Sequence, residues 1–330
     1  MLMKIYRTVV ALLFTFALLM LTACSDGISP IKSEDGELNV VAKVFDKPVY
    51  MEEINYLVYN YLPGIEEKYE KGSDEAAAAL KEKTEAAIKK NPAFLALCDE
   101  YGVDASSKEA KEYVEEYING FAEELGGIDE YKKQLSENGI TDHHLRYLLS
   151  IEYAKESLRQ KLLDADIIDD SDEKAREFIN SDEFIRTIHV YISNDEGEDI
   201  EENRKKAEKA LDGLNSGEPF NRMIGRYSED VFMTTTDGYY FMRGEYEKAY
   251  EETAFALSVD EYSGIIEGEG GFYIIKRLPK EQDYIEKNFE SLKDRYLYVL
   301  FEKIVEEKAS EAVIEYTEFG KTLDFKEFER

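Results

Sequence analysis

The spacing of apolar residues changes at Arg186, and that change separates two kinds of fold. From Ser73 to about Asp164 apolar residues recur every three or four positions, the period of an amphipathic helix. Ala76 to Ala79 and Ala86-Ala87 add helix propensity. Gly102, Gly126-Gly127 and Gly139 punctuate the run into separate helices. Thr141-Asp142 offers a cap to a helix carrying Leu145, Leu148, Leu149 and Tyr153, and Ser171 does the same for a short one. After Arg186 the period drops to two. Ile188, Val190 and Ile192 lie on one side of an extended run, with His189 and Tyr191 on the other.

Beyond that strand, helical and extended patterns alternate. A helix is predicted from about Glu201 to Leu214, a strand over Gly238 to Phe241, a short helix from Tyr246 to Leu257 and a strand over Gly271 to Arg277. Strand, helix, strand, helix, strand within about 95 residues indicates a compact α+β domain. Before the helical run, Val40 to Phe45 and Pro48 to Tyr50 read as a small hairpin (40–50) turning at Asp46-Lys47. After the α+β domain, a long helix from about Asp283 carries Phe289, Leu292, Tyr296, Val299, Leu300 and Ile304 on one stripe. Such a stripe needs a partner, and the N-terminal helices supply it. The α+β segment then reads as an insertion in a helical body.

The first residues point to a location. Lys4 and Arg7 precede an apolar run from Val9 to Leu21. A run of that length falls short of the roughly 20 residues a bilayer span needs and suits a secretory signal core. Leu21-Thr22-Ala23-Cys24 resembles a bacterial lipobox. The resemblance implies a signal peptide over 1–23, cleavage before Cys24, and lipidation of its sulfur. The polar stretch 24–36 then reads as a flexible tether on the outer face of the bacterial cell membrane.

A net charge of −31 argues against nucleic acid or an anionic lipid surface as partner, because both would repel the chain. Once Cys24 is lipidated, Cys98 has no intramolecular thiol partner, so the fold does without disulfides. Cys98 lies in Ala93-Phe94-Leu95-Ala96-Leu97-Cys98, an apolar helical stretch, and reads as a buried thiol. His143 and His144 are adjacent and do not share a helical face, so no metal site is expected there. With no phosphate-binding Gly loop, Ser elbow or Cys–His pair, neither a cofactor nor a small-molecule ligand is expected.

The motifs from residue 184 to 279 resemble the parvulin family of peptidyl-prolyl isomerases. Ile188-His189-Val190-Tyr191-Ile192 is similar to the family's opening strand with its active-site His. Gly217-Glu218-Pro219-Phe220, Tyr227-Ser228-Glu229-Asp230 and Ala254-Phe255-Ala256-Leu257 resemble the family's later segments, and Gly271 to Lys276 its closing strand. The whole chain resembles extracytoplasmic foldases of the PrsA and SurA type. That implies an α+β fold in which a helical chaperone body, built from 37–180 and 283–330, carries an inserted parvulin-like domain over 184–279.

The resemblance implies catalysis by His189 and Asp230, with Tyr273 where the family has a second His. It implies a proline pocket from Tyr246, Tyr250, Phe241 and Phe255. The family's pocket Leu falls on Gly238, which would leave that side of the pocket open, and the next Gly falls on Tyr239. The implied function is cis/trans isomerisation of Xaa–Pro bonds in unfolded or partly folded exported polypeptides, together with chaperone binding. The alternative is a holdase whose parvulin domain no longer catalyses. His189→Ala is expected to matter to isomerisation but not to folding. A solute-binding lipoprotein would need two lobes of repeated strand–helix units, a pattern this chain lacks.

Overall fold

Residues 39–194, 199–233, 238–268 and 270–328 are described by the structure, a computed structural model. The expected signal peptide (1–23), Cys24 and the tether (24–36) lie outside the described residues. The chain divides into two units, one running to Ile167 and resuming at Phe301, the other from Ile168 to Leu300.

The first unit opens with the hairpin β1 (Val40–Val44) and β2 (Lys47–Tyr50), in which Val44 pairs with Lys47. The turn therefore falls on Phe45-Asp46, one residue earlier than the sequence predicts. Both residues have positive φ, 52° and 59°, the geometry that matches the twist of a two-residue hairpin.

Six helices follow: α1 (Met51–Glu66), α2 (Asp74–Ala87), α3 (Lys90–Glu100), α4 (Lys108–Glu124), α5 (Ile128–Glu137) and α6 (Asp142–Asp164). Three start on hydroxyl caps. Ser73, Ser107 and Thr141 accept from the amides of Ala76, Ala110 and His144. Val41, Val44, Val49, Ile54, Val58 and Leu80 form one core, and Val114, Tyr117, Phe121, Tyr131 and Leu149 another. Cys98 is buried, and burial first, then the charge of Asp99, pushes its thiol up to about 12. It packs as a small apolar residue.

Helix α1 has no side-chain cap, and its first turn carries two buried carboxylates instead. The Thr141 hydroxyl donates to Glu52 Oε2 at 2.5 Å, and His143 Nδ1 meets Oε1. Glu53 has one donor, Asn91 Nδ2, at 3.4 Å. Burial pushes the Glu53 carboxyl up to about 7, the Asn91 bond working against it and the neighbouring Glu52 charge with it. His144 is buried between the rings of Tyr56 and Tyr147, and burial lowers its imidazole to about 4.

The second unit contains α7 (Asp172–Asn180), β3 (Phe184–Ser193), α8 (Ile200–Asn215), α9 (Phe220–Tyr227), β4 (Tyr239–Met242), α10 (Lys248–Ala256), β5 (Ile266–Glu267), β6 (Gly271–Leu278), α11 (Gln282–Lys287) and the first half of α12 (Phe289–Ser310). Its sheet has the order β4-β3-β6-β5, antiparallel throughout. Helix α7, read from sequence as the end of the helical body, belongs here. Ala175 and Ile179 are buried, Phe178 packs on Tyr296 at 4.9 Å, and Arg176 pairs with Glu286 at 2.6 Å. The single helix expected from Asp283 is two helices, and α12 changes unit at Phe301.

Alternation along β3 sorts the sheet into two faces. Ile188, Val190 and Ile192 pack with Ala207, Ala210, Phe220 and Met223 of α8 and α9. Ile185 packs on the other face with Phe241, Tyr250, Ala254 and Ile275. Beyond Phe301 the chain returns to the first unit. Strand β7 (Glu315–Tyr316) pairs with β1, Ala42 opposite Tyr316, giving the order β2-β1-β7. Among the described residues no helix is long and apolar enough to cross a membrane.

Candidate functional site

The second face of the sheet carries the polar residues the sequence singles out. Residues two apart on a strand point the same way, so Thr187, His189 and Tyr191 share the face of Ile185. The register extends it sideways. Tyr239 stands opposite Thr187 on β4, Phe241 opposite Ile185, and Tyr273 opposite Tyr191 on β6.

Asp230 is brought to this face by an open strand edge. Pairing of β4 with β3 ends at Thr187. Further along, the Tyr191 amide donates to Ser228 Oγ (3.1 Å), the Glu229 amide to the Tyr191 carbonyl (2.7 Å) and the Ser193 amide to Glu229 Oε2 (2.8 Å). The next residue is then held in place. Asp230 Oδ1 accepts from the amides of Phe232 (2.9 Å) and Met233 (3.3 Å).

His189 is 4% exposed and both ring nitrogens are engaged. Nε2 lies 3.0 Å from Asp230 Oδ2 and Nδ1 lies 3.0 Å from the Tyr250 hydroxyl. Tyr250 in turn lies 2.9 Å from Thr187 Oγ1, and the Tyr239 hydroxyl donates to Asp230 Oδ2 at 2.7 Å. An ionised carboxylate only accepts, which puts a hydrogen on Nε2 and leaves the hydroxyl chain two directions, the first with Nδ1 bare. Nε2–H donates to Asp230, Tyr250 donates to Nδ1, and Thr187 donates to Tyr250. If His189 takes a proton, the Tyr250 and Thr187 hydroxyls reverse.

The His189 imidazole, then Tyr239 and the Phe232 amide, hold the Asp230 carboxyl well below the usual carboxylate range, against the opposing effect of burial. Burial, then the hydrogen bond to Asp230 and its charge, pushes Tyr239 up; burial leads for Tyr250. These phenols are neutral donors at neutral pH.

Aromatic rings enclose the network. Tyr239 stacks on the imidazole at 5.6 Å, and Tyr250 and Tyr273 meet it edge-on at the same separation. Tyr246 stacks on Tyr250 at 4.9 Å and touches Phe241 at 4.7 Å, while Phe255 meets Phe241 edge-on.

The structure thus brings His189 and Asp230 together, keeps Tyr246 and Phe255 half-buried beside them, and places Tyr273, Tyr250 and Phe241 differently from the sequence reading. Tyr273 does not take the second His's place as a hydrogen-bond partner. It stands opposite Tyr191, stacks on that ring at 4.8 Å and has Glu247 beside its hydroxyl. The partner of His189 is Tyr250, which the sequence placed among the pocket walls. Phe241 and Tyr250 are each 1% exposed, so their rings are covered by the chain itself. The half-buried rings on this face, among the described residues, are Tyr191, Tyr239, Tyr246, Phe255 and Tyr273.

Sequence reasoning misses Tyr239 as a bonding residue. Period two puts it on the face of Phe241, but only the register brings it to Asp230. Gly238 does not open a pocket. It has φ +74°, and a Cβ there would overlap the Thr187 carbonyl oxygen and come within 3.0 Å of Ile188 Cγ2. Gly238→Ala is therefore expected to cost about 2–4 kcal/mol. Thermal melts of the full-length chain check this, and an unchanged melting temperature would contradict it.

Residues 174–281 match the family model of the PPIC-type PPIase domain. Over 206 residues the chain is 28% identical to the foldase protein PrsA of Staphylococcus aureus, with 60% of each chain covered. The chain thus spans about 60% of the length of the curated relatives it matches. Among solved structures, PrsA of Streptococcus pneumoniae is 21% identical with a TM-score of 0.37, covering 73% of this chain and 85% of that one. PrsA of Bacillus anthracis is 16% identical with a TM-score of 0.32, covering 68% and 96%. Residues 174–281 are a parvulin domain of the PPIC type, carried by a chain similar to the PrsA foldases.

Proposed function

We propose that this chain is an extracytoplasmic foldase that speeds cis/trans isomerisation of Xaa–Pro bonds in unfolded exported polypeptides. Lipid on Cys24 tethers it to the membrane, and its helical unit binds the same clients. The observation that carries the reading is His189 held at both nitrogens, by Asp230 and Tyr250, on a face ringed with half-buried aromatics.

Isomerisation breaks no bond. The barrier, roughly 18–20 kcal/mol, is the lost amide resonance, and the catalyst must hold the twisted amide better than the planar one. A twisted amide is less charge-separated than a planar one. Apolar surroundings therefore disfavour the ground state more than the transition state. Tyr246 and Phe255 offer ring surface to the proline, and the His189–Asp230 pair fixes the polar side of the site.

The test is an isomerisation assay of the full-length chain on Xaa–Pro peptides. Tyr250→Phe keeps the ring and frees His189 Nδ1, and is expected to lower kcat/KM about tenfold, the value of one hydrogen bond. Tyr273→Phe, which leaves His189 and Asp230 bonded, is expected to change it less than threefold. Wild-type activity in both variants would contradict the proposed roles.

A second reading, a holdase with an idle parvulin domain, draws on one observation. Phe241 and Tyr250 are covered, which leaves less ring surface for a proline than the sequence implies. Background turnover with aggregation of an unfolded client still suppressed would favour it.

A further inference from the structure

The loop that supplies Asp230 continues into the two most exposed large apolar side chains among the described residues, Val231 at 72% and Phe232 at 84%. Their position is not loose. The Phe232 amide donates to Asp230 Oδ1, and the next residue, Met233, is buried with its sulfur 3.3 Å from the His189 amide. The apolar pair is pinned between two groups of the candidate site, where folding gains nothing from it.

The imidazole gives the pair a side. Nε2 faces Asp230 and its loop, and Nδ1 faces Tyr250 on α10. The two nitrogens diverge, so the loop of Asp230 and the Tyr250 ring, on which Tyr246 stacks, meet different edges of the imidazole. If the proline ring lies on the aromatic cluster, its neighbour in the client falls toward the loop.

We propose that Val231 and Phe232 form the subsite for the residue preceding proline and favour a large apolar side chain there. The inference rests on the isomerase reading of the site. The local charge disfavours an acidic occupant. Glu229 and Asp230 precede the pair, and Lys206, within reach of Glu229 at 3.6 Å, is taken up by it. An acidic client residue would meet carboxylates, and an apolar one meets Phe232.

The experiment compares Phe-Pro, Ala-Pro and Glu-Pro peptides of otherwise identical sequence on the full-length chain, Phe232→Ser and Phe232→Leu. The ratio of kcat/KM for Phe-Pro over Ala-Pro is expected to fall about tenfold in Phe232→Ser, the worth of burying one large side chain. Phe232→Leu should restore most of it. An unchanged ratio, or equal loss on all three peptides, overturns the subsite. Calorimetric Kd values for the same peptides separate it from catalysis. In an inactive chain, a preference for Phe-Pro that Phe232→Ser abolishes upholds the subsite and sinks the isomerase reading. Equal Kd values in the wild type overturn the subsite whatever the activity.

Discussion

His189→Ala should lower the melting temperature by roughly 10 °C as well as remove turnover, a loss of about 3 kcal/mol. The sequence alone predicts an effect on isomerisation with folding intact. The structure changes that expectation. The ring is 4% exposed, bonded at both nitrogens and touched by the rings of Tyr239, Tyr250 and Tyr273. Alanine leaves a cavity and strips Asp230 of its strongest partner. Asp230 keeps Tyr239 and two amides, so the domain should survive the change. Differential scanning calorimetry beside the peptide assay checks both effects. A variant as stable as the wild type would mean the ring is not packed as described. Lost turnover in His189→Ala is therefore weak evidence of chemistry by itself, and Tyr250→Phe, which keeps every ring in place, is the sharper probe.

Glu53→Gln should raise stability at pH 8 by about 2–3 kcal/mol, roughly 5–8 °C in the melt, with the gain gone near pH 4. The sign follows from the direction of the shift. Burial raises the Glu53 carboxyl from its ordinary value near 4.5 to about 7. Between those values the folded chain holds more protons than the unfolded one, so stability falls as pH rises through that window. Above pH 7 the folded chain carries the full cost of a buried charge with one long hydrogen bond, from Asn91. The dipole of α1 favours the anion at this position, but burial outweighs it.

Glutamine removes the charge and still accepts from Asn91. The buried Tyr147 hydroxyl, without a partner among the described residues, is raised by burial and then by the charge of Glu53. It is a nearby acceptor for the new amide. His144 works the other way. Its imidazole, lowered to about 4 by burial, must stay neutral, so stability is lost as pH falls from about 6.5 toward 4. In the wild type the two slopes oppose each other, and Glu53→Gln should leave the acid limb of His144 exposed. Melts from pH 4 to 8 test this; a gain independent of pH would rule out the carboxyl as its source.

Much of the fold was legible in local pattern. The hairpin, the helices capped by Thr141 and Ser171, and the strand with Ile188, Val190 and Ile192 on one side all follow from period and capping. The meeting of His189 with Asp230 was implied by the family resemblance of their motifs and by no local period. The sequence does not carry register. Whether Tyr273 stands opposite His189 or Tyr191 is a matter of one strand sliding along another, and no single position records it. The same holds for Tyr239, which reaches Asp230 through its pairing opposite Thr187. Gly238 looked like an absent pocket wall because its positive φ and its closeness to the Thr187 carbonyl are tertiary facts. The two-residue strands β5 and β7 hold too few side chains for any period to show.

Strand β7 joins β1 roughly 270 residues after β1 has been made, with Thr317 donating to the Val40 and Val41 carbonyls. A chain that emerges from its N-terminus therefore cannot finish its first sheet when that sheet begins. The edge of β1 and the apolar surface of Val41 and Val44 must wait, while residues 168–300 can complete their own core. Closing so long a loop is slow and leaves a template for mispairing in the interval. Folding of the interior segment first ties residue 168 to residue 300 and shortens the loop that remains. The order of assembly is thus inside-out, the last-made residues completing what the first-made began.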